Sequence, residues 1–123
     1  SLTRLAAFSE WGRVPNHEAE AQLLLGGLYL ELGLHNEAGE RFEKLLTADV
    51  PQAVRNRAWF YLAKVWYVRG YDDRAEQAVR RLAGVLPAEL ESERAHLLSN
   101  VLMRQGRFAE AADLLDGWQG PQD

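Results

Sequence analysis

Residues 56–87 read NRAWFYLAKVWYVRGYDDRAEQAVRRLAGVLP, and this stretch decides the fold. Its apolar residues, Ala58, Trp59, Leu62, Ala63, Trp66 and Tyr67, recur three and four positions apart, which is the spacing of a helix face and not the alternation of a strand. Gly70 ends that helix by supplying the left-handed residue that commonly follows a helix C-terminus. Asp72 or Asp73 suits the N-cap of the next helix, whose inward stripe is Ala75, Ala78, Val79, Leu82 and Leu86 before Pro87 closes the unit. The same marks return on either side. Gly33 and Gly106 stand 37 and 36 residues from Gly70, and each is followed five residues later by alanine, at Ala38 and Ala111. Pro15, Pro51 and Pro87 keep a spacing of 36 residues. A period in this range predicts a stacked array, in which each unit buries its apolar face only against its neighbours.

The flanking copies read the same way. Ala21, Leu25, Leu28 and Leu32 form one stripe of a helix from Glu18 to Leu32, with Leu24 and Tyr29 beside it. A helix from Asn36 to Thr47 turns Ala38, Phe42, Leu45 and Leu46 inward. Pro51 opens the next helix near its first turn, where proline is tolerated. A third first helix, from Ala88 to Gln105, carries Leu90, Ala95, Leu98, Val101 and Leu102, and its partner carries Phe108, Ala111, Ala112, Leu114, Leu115 and Trp118. Leu2–Trp11 reads as a second helix whose own first helix is missing. The expectation is an all-α chain of about seven helices in a single domain: an orphan helix in 1–15, then pairs in 16–50, 51–87 and 88–123. Connections of about 2–4 residues make consecutive helices antiparallel neighbours.

Small residues mark the helix crossings. Gly26, Ala63 and Ser99 on the first helices, and Ala38, Ala75 and Ala111 on the second, let axes approach to about 8–10 Å. Gly27, next to Gly26 inside a helix, is read as close packing too.

The bulk numbers narrow the function. The chain has 123 residues, 47% hydrophobic and 26% charged, with net charge −4. No basic stripe offers itself to a polyanion, so nucleic-acid binding is disfavoured. With no cysteine there is no disulfide, thiolate nucleophile or cysteine metal site, and cytoplasm and bacterial periplasm stay equally open. Twelve of the fourteen basic residues are arginine, a bias that points to a GC-rich, bacterial genome. The longest apolar stretch, Leu23–Leu30, is far short of the roughly 20 residues of a membrane span.

Ala19–Leu46 and Asn56–Pro87 resemble the tetratricopeptide repeat (TPR). Its first helix places a large aromatic, a Leu-Gly/Ala pair three residues on and an aromatic three further; Trp59, Leu62-Ala63 and Trp66 occupy those places, as do Gln22, Leu25-Gly26 and Tyr29 with glutamine replacing the leading aromatic. Its second helix matches at Ala38, Phe42, Leu45 and Pro51, with the proline one residue late, and at Ala75, Val79, Leu82 and Pro87 with valine for the aromatic. The third copy keeps Gly106, Phe108 and Ala111 but substitutes Ala95, Leu98-Ser99 and Leu102 for the aromatic-rich set. Each period exceeds the family's common 34 by two or three residues. The resemblance covers about 100 of the 123 residues. It implies a right-handed α-solenoid, with Gly26, Gly33, Ala38, Phe42, Trp59, Ala63, Trp66, Gly70, Ala75, Pro87, Gly106 and Ala111 as structural repeat positions.

In that family the first helices line a concave groove that takes extended or helical peptides. By resemblance the groove residues are Glu20, Leu23, Gly27, Leu30 and Glu31; Arg57, Phe60, Lys64, Tyr67 and Val68; and Glu93, His96, Asn100, Met103 and Arg104. Clustered apolar residues here, Leu23, Leu30, Phe60, Tyr67 and Met103, favour a contact surface over a purely solvated face. Members that clamp a C-terminal carboxylate place Lys and Asn one turn apart on the first groove helix. The pairs here, Leu23/Gly27, Phe60/Lys64 and His96/Asn100, do not make that clamp.

Chemistry finds little support. His17, His35 and His96 are far apart and form no His-x-x-x-His or Glu-x-x-His pair, so no metal site is expected. His35 is placed in the turn after Gly33, and His96 at the groove edge. Glu89, Glu91 and Glu93 suit the first turn of a helix, where the dipole favours negative charge. Neither a Gly-x-Ser-x-Gly elbow nor a phosphate loop occurs, and no cofactor or enzymatic role is expected. The leading expectation is a non-enzymatic scaffold for a protein or peptide partner. The alternative is a structural segment of a longer solenoid that self-associates through its ends, and an RNA-binding helical repeat comes third.

Ala75→Leu is expected to overpack its helix crossing and cost about 1–3 kcal/mol. An unchanged melting temperature would refute the register.

Overall fold

The structure is a computed structural model and describes residues 16–117. It is all-helical, with six helices among the described residues: α1 (Asn16–Glu31), α2 (His35–Thr47), α3 (Gln52–Val68), α4 (Asp72–Val79), α5 (Ala88–Arg104) and α6 (Phe108–Gly117). The seventh, expected in 1–15, lies outside the described residues, as does Trp118.

Each pair turns on the same backbone device. Gly33, Gly70 and Gly106 have φ of +81°, +87° and +78°, a region that L side chains rarely adopt. At the first turn the Gly33 N–H donates to the Leu30 carbonyl at 3.1 Å and the Leu34 N–H to the Tyr29 carbonyl at 2.8 Å. The same two bonds recur as Gly70 to Tyr67 with Tyr71 to Trp66, and as Gly106 to Met103 with Arg107 to Leu102. This is the Schellman pattern, which satisfies the last carbonyls of a helix. The residue after each glycine then opens the next helix: Leu34, Tyr71 and Arg107 accept from the N–H groups of Ala38, Ala75 and Ala111. The five-residue step from glycine to alanine is therefore the length of one turn plus one N-terminal helical turn. N-capping falls to Leu34 and Tyr71, so Asp72 and Asp73 are first-turn helical residues and not caps, and His35 is the first residue of α2 and not part of the turn.

Packing runs along the chain. Consecutive helices touch from α1 to α6, and the first helices also touch one another, α1 with α3 and α3 with α5. Among the described residues the backbones of α2 and α4 stay more than 8 Å apart, Cα to Cα, as do those of α4 and α6. One buried cluster joins α1, α2 and α3 around Leu23, Phe42, Leu45 and Val65. A second joins α3 to α6 around Phe60, Val79, Leu98 and Val101. Trp59, Tyr61 and Trp66 pack against both, which makes α3 the shared wall. Pro51 and Pro87 cap α3 and α5, and each gives its carbonyl to the first helical N–H, of Arg55 and Glu91.

The small residues sort into two kinds. Ala38, Ala63 and Ala75 are fully buried, with Ser99 and Ala111 nearly so. A Cβ at Gly26 would stand 2.5 Å from Phe42 Cε1, so this crossing admits hydrogen alone. Gly27 is different, for a Cβ there meets nothing within 4 Å. It is not a close-packing residue.

The second helix of the middle pair stops seven residues before the expected Leu86. α4 ends at Val79, and Gly84 turns the chain with φ +77°. The cause is a buried side chain on α3. Asn56, 4% exposed, donates from Nδ2 to the Ala83 carbonyl at 2.9 Å and accepts the Ala83 N–H at 3.0 Å. Gln52 Nε2 donates to the same Oδ1. Two backbone groups that a longer helix would have paired internally are taken by one amide, and a buried amide demands such partners.

The two adjacent glycines give opposite expectations. Gly27→Ala should raise stability by about 0.5–1 kcal/mol, the helix-interior difference between the residues. Gly26→Ala must displace the Phe42 ring, which is fully buried and stacked on Tyr61 at 5.4 Å, and should lower stability by about 1–2 kcal/mol. Denaturant melts of the two variants check both signs.

Candidate functional site

Two clefts follow the line of the first helices. One, of about 720 Å³, lies between α1 and α3 and is lined by Glu20, Leu23, Gly27, Leu30, Glu31, Lys64 and Val68, with Leu24, Leu28, Gly33 and His35 at its α1–α2 end. The other, of about 560 Å³, lies between α3, the 83–87 loop and the start of α5, and is lined by Asn56, Phe60, Gly84, Pro87, Leu90, Glu89 and Glu93 among others. Arg57 and Tyr61 border both clefts, so the two adjoin.

Of the residues expected in a groove, Leu23, Gly27, Leu30, Arg57, Phe60 and Lys64 border these clefts, but not all as exposed anchors. Leu23 is 4% exposed and Phe60 3%. Both belong to the two cores, and the expectation that they are exposed contact residues is corrected. Phe60 is screened by its own helix, with Lys64 Nζ 5.6 Å from its ring centroid and 6.0 Å from that of Tyr61. Tyr67 is half-buried, and the Arg104 guanidinium lies 3.8 Å over its ring. His96, Asn100 and Met103 are exposed on α5 but line neither cleft. His96 Nδ1 lies 2.9 Å from the Ser92 carbonyl of its own helix. Arg57 borders both clefts; the first also holds Lys64 with Glu20 and Glu31, and the second Glu89 and Glu93.

A polar network absent from the sequence reading ties the third pair to α4. Arg107 Nη1 donates to Glu76 Oε1 at 2.6 Å, and its Nε and Nη2 grip Glu110 at 2.6 and 2.8 Å. Arg80 and Gln105 also donate to Glu76. Gln105 reaches Asp73, and Arg104 holds Asp72 through Nε at 2.8 Å and through Nη2. Partial burial would raise the Glu76 pKa, but the hydrogen bonds from Arg107, Arg80 and Gln105 together outweigh it and hold the carboxyl below its ordinary value. Arg107 holds Glu110 below its ordinary value as well. The signal in the sequence was an i, i+3 Arg107/Glu110 pair beside a lone Glu76, which the repeat pattern ignores because neither neighbouring unit repeats it.

Among the described residues no group of three His, Asp or Glu is placed to hold a metal ion, and no helix is long and apolar enough to cross a membrane. Comparisons of the chain with protein-family models, curated proteins and solved structures give no match. The likeness to the TPR rests on this chain's own residues.

Glu76 is 16% exposed, and its carboxylate is lowered in the fold, so its contribution is present above the ordinary carboxylate pKa of 4.5 and lost as pH falls through the lowered value. Glu76→Gln should cost about 1 kcal/mol at neutral pH. Melting temperatures of variant and wild type should converge below pH 4.5. A gap that stays constant with pH would refute the charged role.

Proposed function

We propose that the chain is a TPR-like solenoid segment that acts as a non-enzymatic interaction scaffold, holding an extended or helical peptide of a protein partner along α1, α3 and α5. The observation that carries this reading is the adjoining pair of clefts on the first helices, where the resemblance expects a groove. Their walls combine apolar side chains with two cations, Arg57 shared by both clefts and Lys64 in the first, among carboxylates. A ligand with apolar anchors and an acidic group suits those walls.

A second reading, a structural or self-associating segment of a longer solenoid, draws on specific exposures. Leu24 and Leu28 are 76% and 51% exposed, whereas Val65 and Val101, which stand in the Leu28 place of the next two units, are 1% and 0% exposed. Leu115 is 41% exposed where its counterparts Phe42 and Val79 are buried. These are packing positions without a neighbour among the described residues.

Peptides selected from a displayed library on the wild-type protein separate the two. Arg57→Glu with Lys64→Gln should weaken the selected peptides at least tenfold at a melting temperature lowered only by the lost Lys64 contacts over Phe60 and Tyr61, because neither side chain donates a hydrogen bond or forms an ion pair among the described residues. Unchanged affinity would reject the groove. Concentration-dependent dimers lost on Leu24→Glu with Leu28→Glu would favour the second reading.

A further inference from the structure

The opposite side of α3 carries a second candidate site. With the backbones of α2 and α4 held apart, a furrow of about 490 Å³ runs between them. Its floor is Trp59 and Trp66, two turns apart on α3 and both half-buried, with Leu46 on the α2 wall. Arginines surround the indoles. Arg74 lies 5.0 Å and Arg69 5.6 Å from the Trp66 centroid, and Arg81 lies 5.4 Å from that of Trp59. Tyr71 extends the surface, meeting Trp66 edge-on at 5.8 Å and both Arg69 and Arg74 within 6 Å.

These three guanidiniums differ from Arg55, which donates to the Leu46 carbonyl, and from four others of the second and third pairs, and they share their lack of an ion pair with Arg57. Arg80, Arg94, Arg104 and Arg107 all engage carboxylates. Arg69, Arg74 and Arg81 have no ion pair and donate no hydrogen bond among the described residues, although each is exposed. The next unit treats the Arg69 position differently. Gln105, one period after Arg69, binds Asp73 and Glu76 across the furrow between α4 and α6. The residues facing Arg69 in that sense are Asn36 and Gly39, which offer no carboxylate. The first furrow is bridged by ion pairs beside a cleft of about 690 Å³ that Asp72, Asp73, Arg74, Gln105 and Arg107 line, whereas Arg74 and Arg81 line its neighbour with no ion pair across it. Glu43 is the single carboxylate among the residues lining it.

We infer that the furrow between α2 and α4 binds an acidic protein segment, with an aromatic or aliphatic side chain set between Trp59 and Trp66 and flanking carboxylates on Arg69, Arg74 and Arg81. The chemistry matches part by part. A guanidinium presents five donors in a planar fork that fits a carboxylate, and stacking on an indole leaves that fork's edge available. Stacking also orders the long side chain before the ligand arrives, which lowers the entropy lost on binding. Tryptophan and arginine are the side chains that most often dominate protein interfaces. The site is independent of the groove on α1, α3 and α5, and either can fail without the other.

An array of short peptides, each with one aromatic residue flanked by glutamates, tests the inference beside the same array with glutamine in place of glutamate. The labelled full chain should prefer the glutamate set at least tenfold. Arg74→Gln with Arg81→Gln should abolish that preference at unchanged melting temperature, and Arg69→Gln alone should reduce it. Arg57→Gln with Lys64→Gln should leave it intact. Equal retention of the glutamine set overturns the proposal, as does loss of the preference in the groove variant. Equally tight binding of peptides of glutamate alone would reduce the furrow to a polyanion patch and overturn it as well.

Discussion

Every helix pair turns on a glycine at positive φ, and the residue after it serves two helices at once: its N–H closes the first and its carbonyl opens the second. This economy fixes the rotational phase between the partners. With the phase fixed, the fourth residue of the second helix always faces the crossing, and it is always alanine. Any larger side chain there would separate the helix axes. The apolar residues on either side are then placed without further choice, Phe42 against Gly26 and Val79 within the second core. The turn is therefore the constraint on which both cores rest.

What the sequence made legible follows from this. Positive-φ glycines, buried alanines and proline helix starts are properties of the backbone and of size, and they recur once per unit, so repetition exposes them. Helix starts and ends at Gly33, Gly70 and Gly106 were readable for that reason. The end of α4 was not, because it depends on Asn56, a single polar residue 27 positions away that no other unit copies. Its position seven residues before Ala63, on the buried stripe of α3, was the available clue. Exposure within the groove is not legible in the repeat register either. That register turns Leu23 and Phe60 outward, yet both are buried, because neighbouring helices decide burial at these places.

The two furrows between second helices show how one scaffold diverges. Both are framed by the same turn and the same crossing alanines. In one, Glu76 collects Arg107, Arg80 and Gln105. In the other, Gly39, Asn36, Arg69 and Tyr71 take the places of Glu76, Asp73, Gln105 and Arg107, so its arginines meet aromatic rings and no carboxylate. Substitution at a few positions of the period changes the chemistry of the seam, with the fold untouched.

The amide clip on Ala83 has a further consequence for α4. Eight residues are too few to hold a helix in water without tertiary support. The Glu76 network and Asn56 supply it from two directions, one through the third pair and one through α3. With Ala75, Ala78 and Val79 buried in the second core as well, α4 draws its stability from α3 and the third pair and not from its own length. As a cooperative unit it belongs to the junction between pairs, and the order of the furrow wall that it forms reports on both at once.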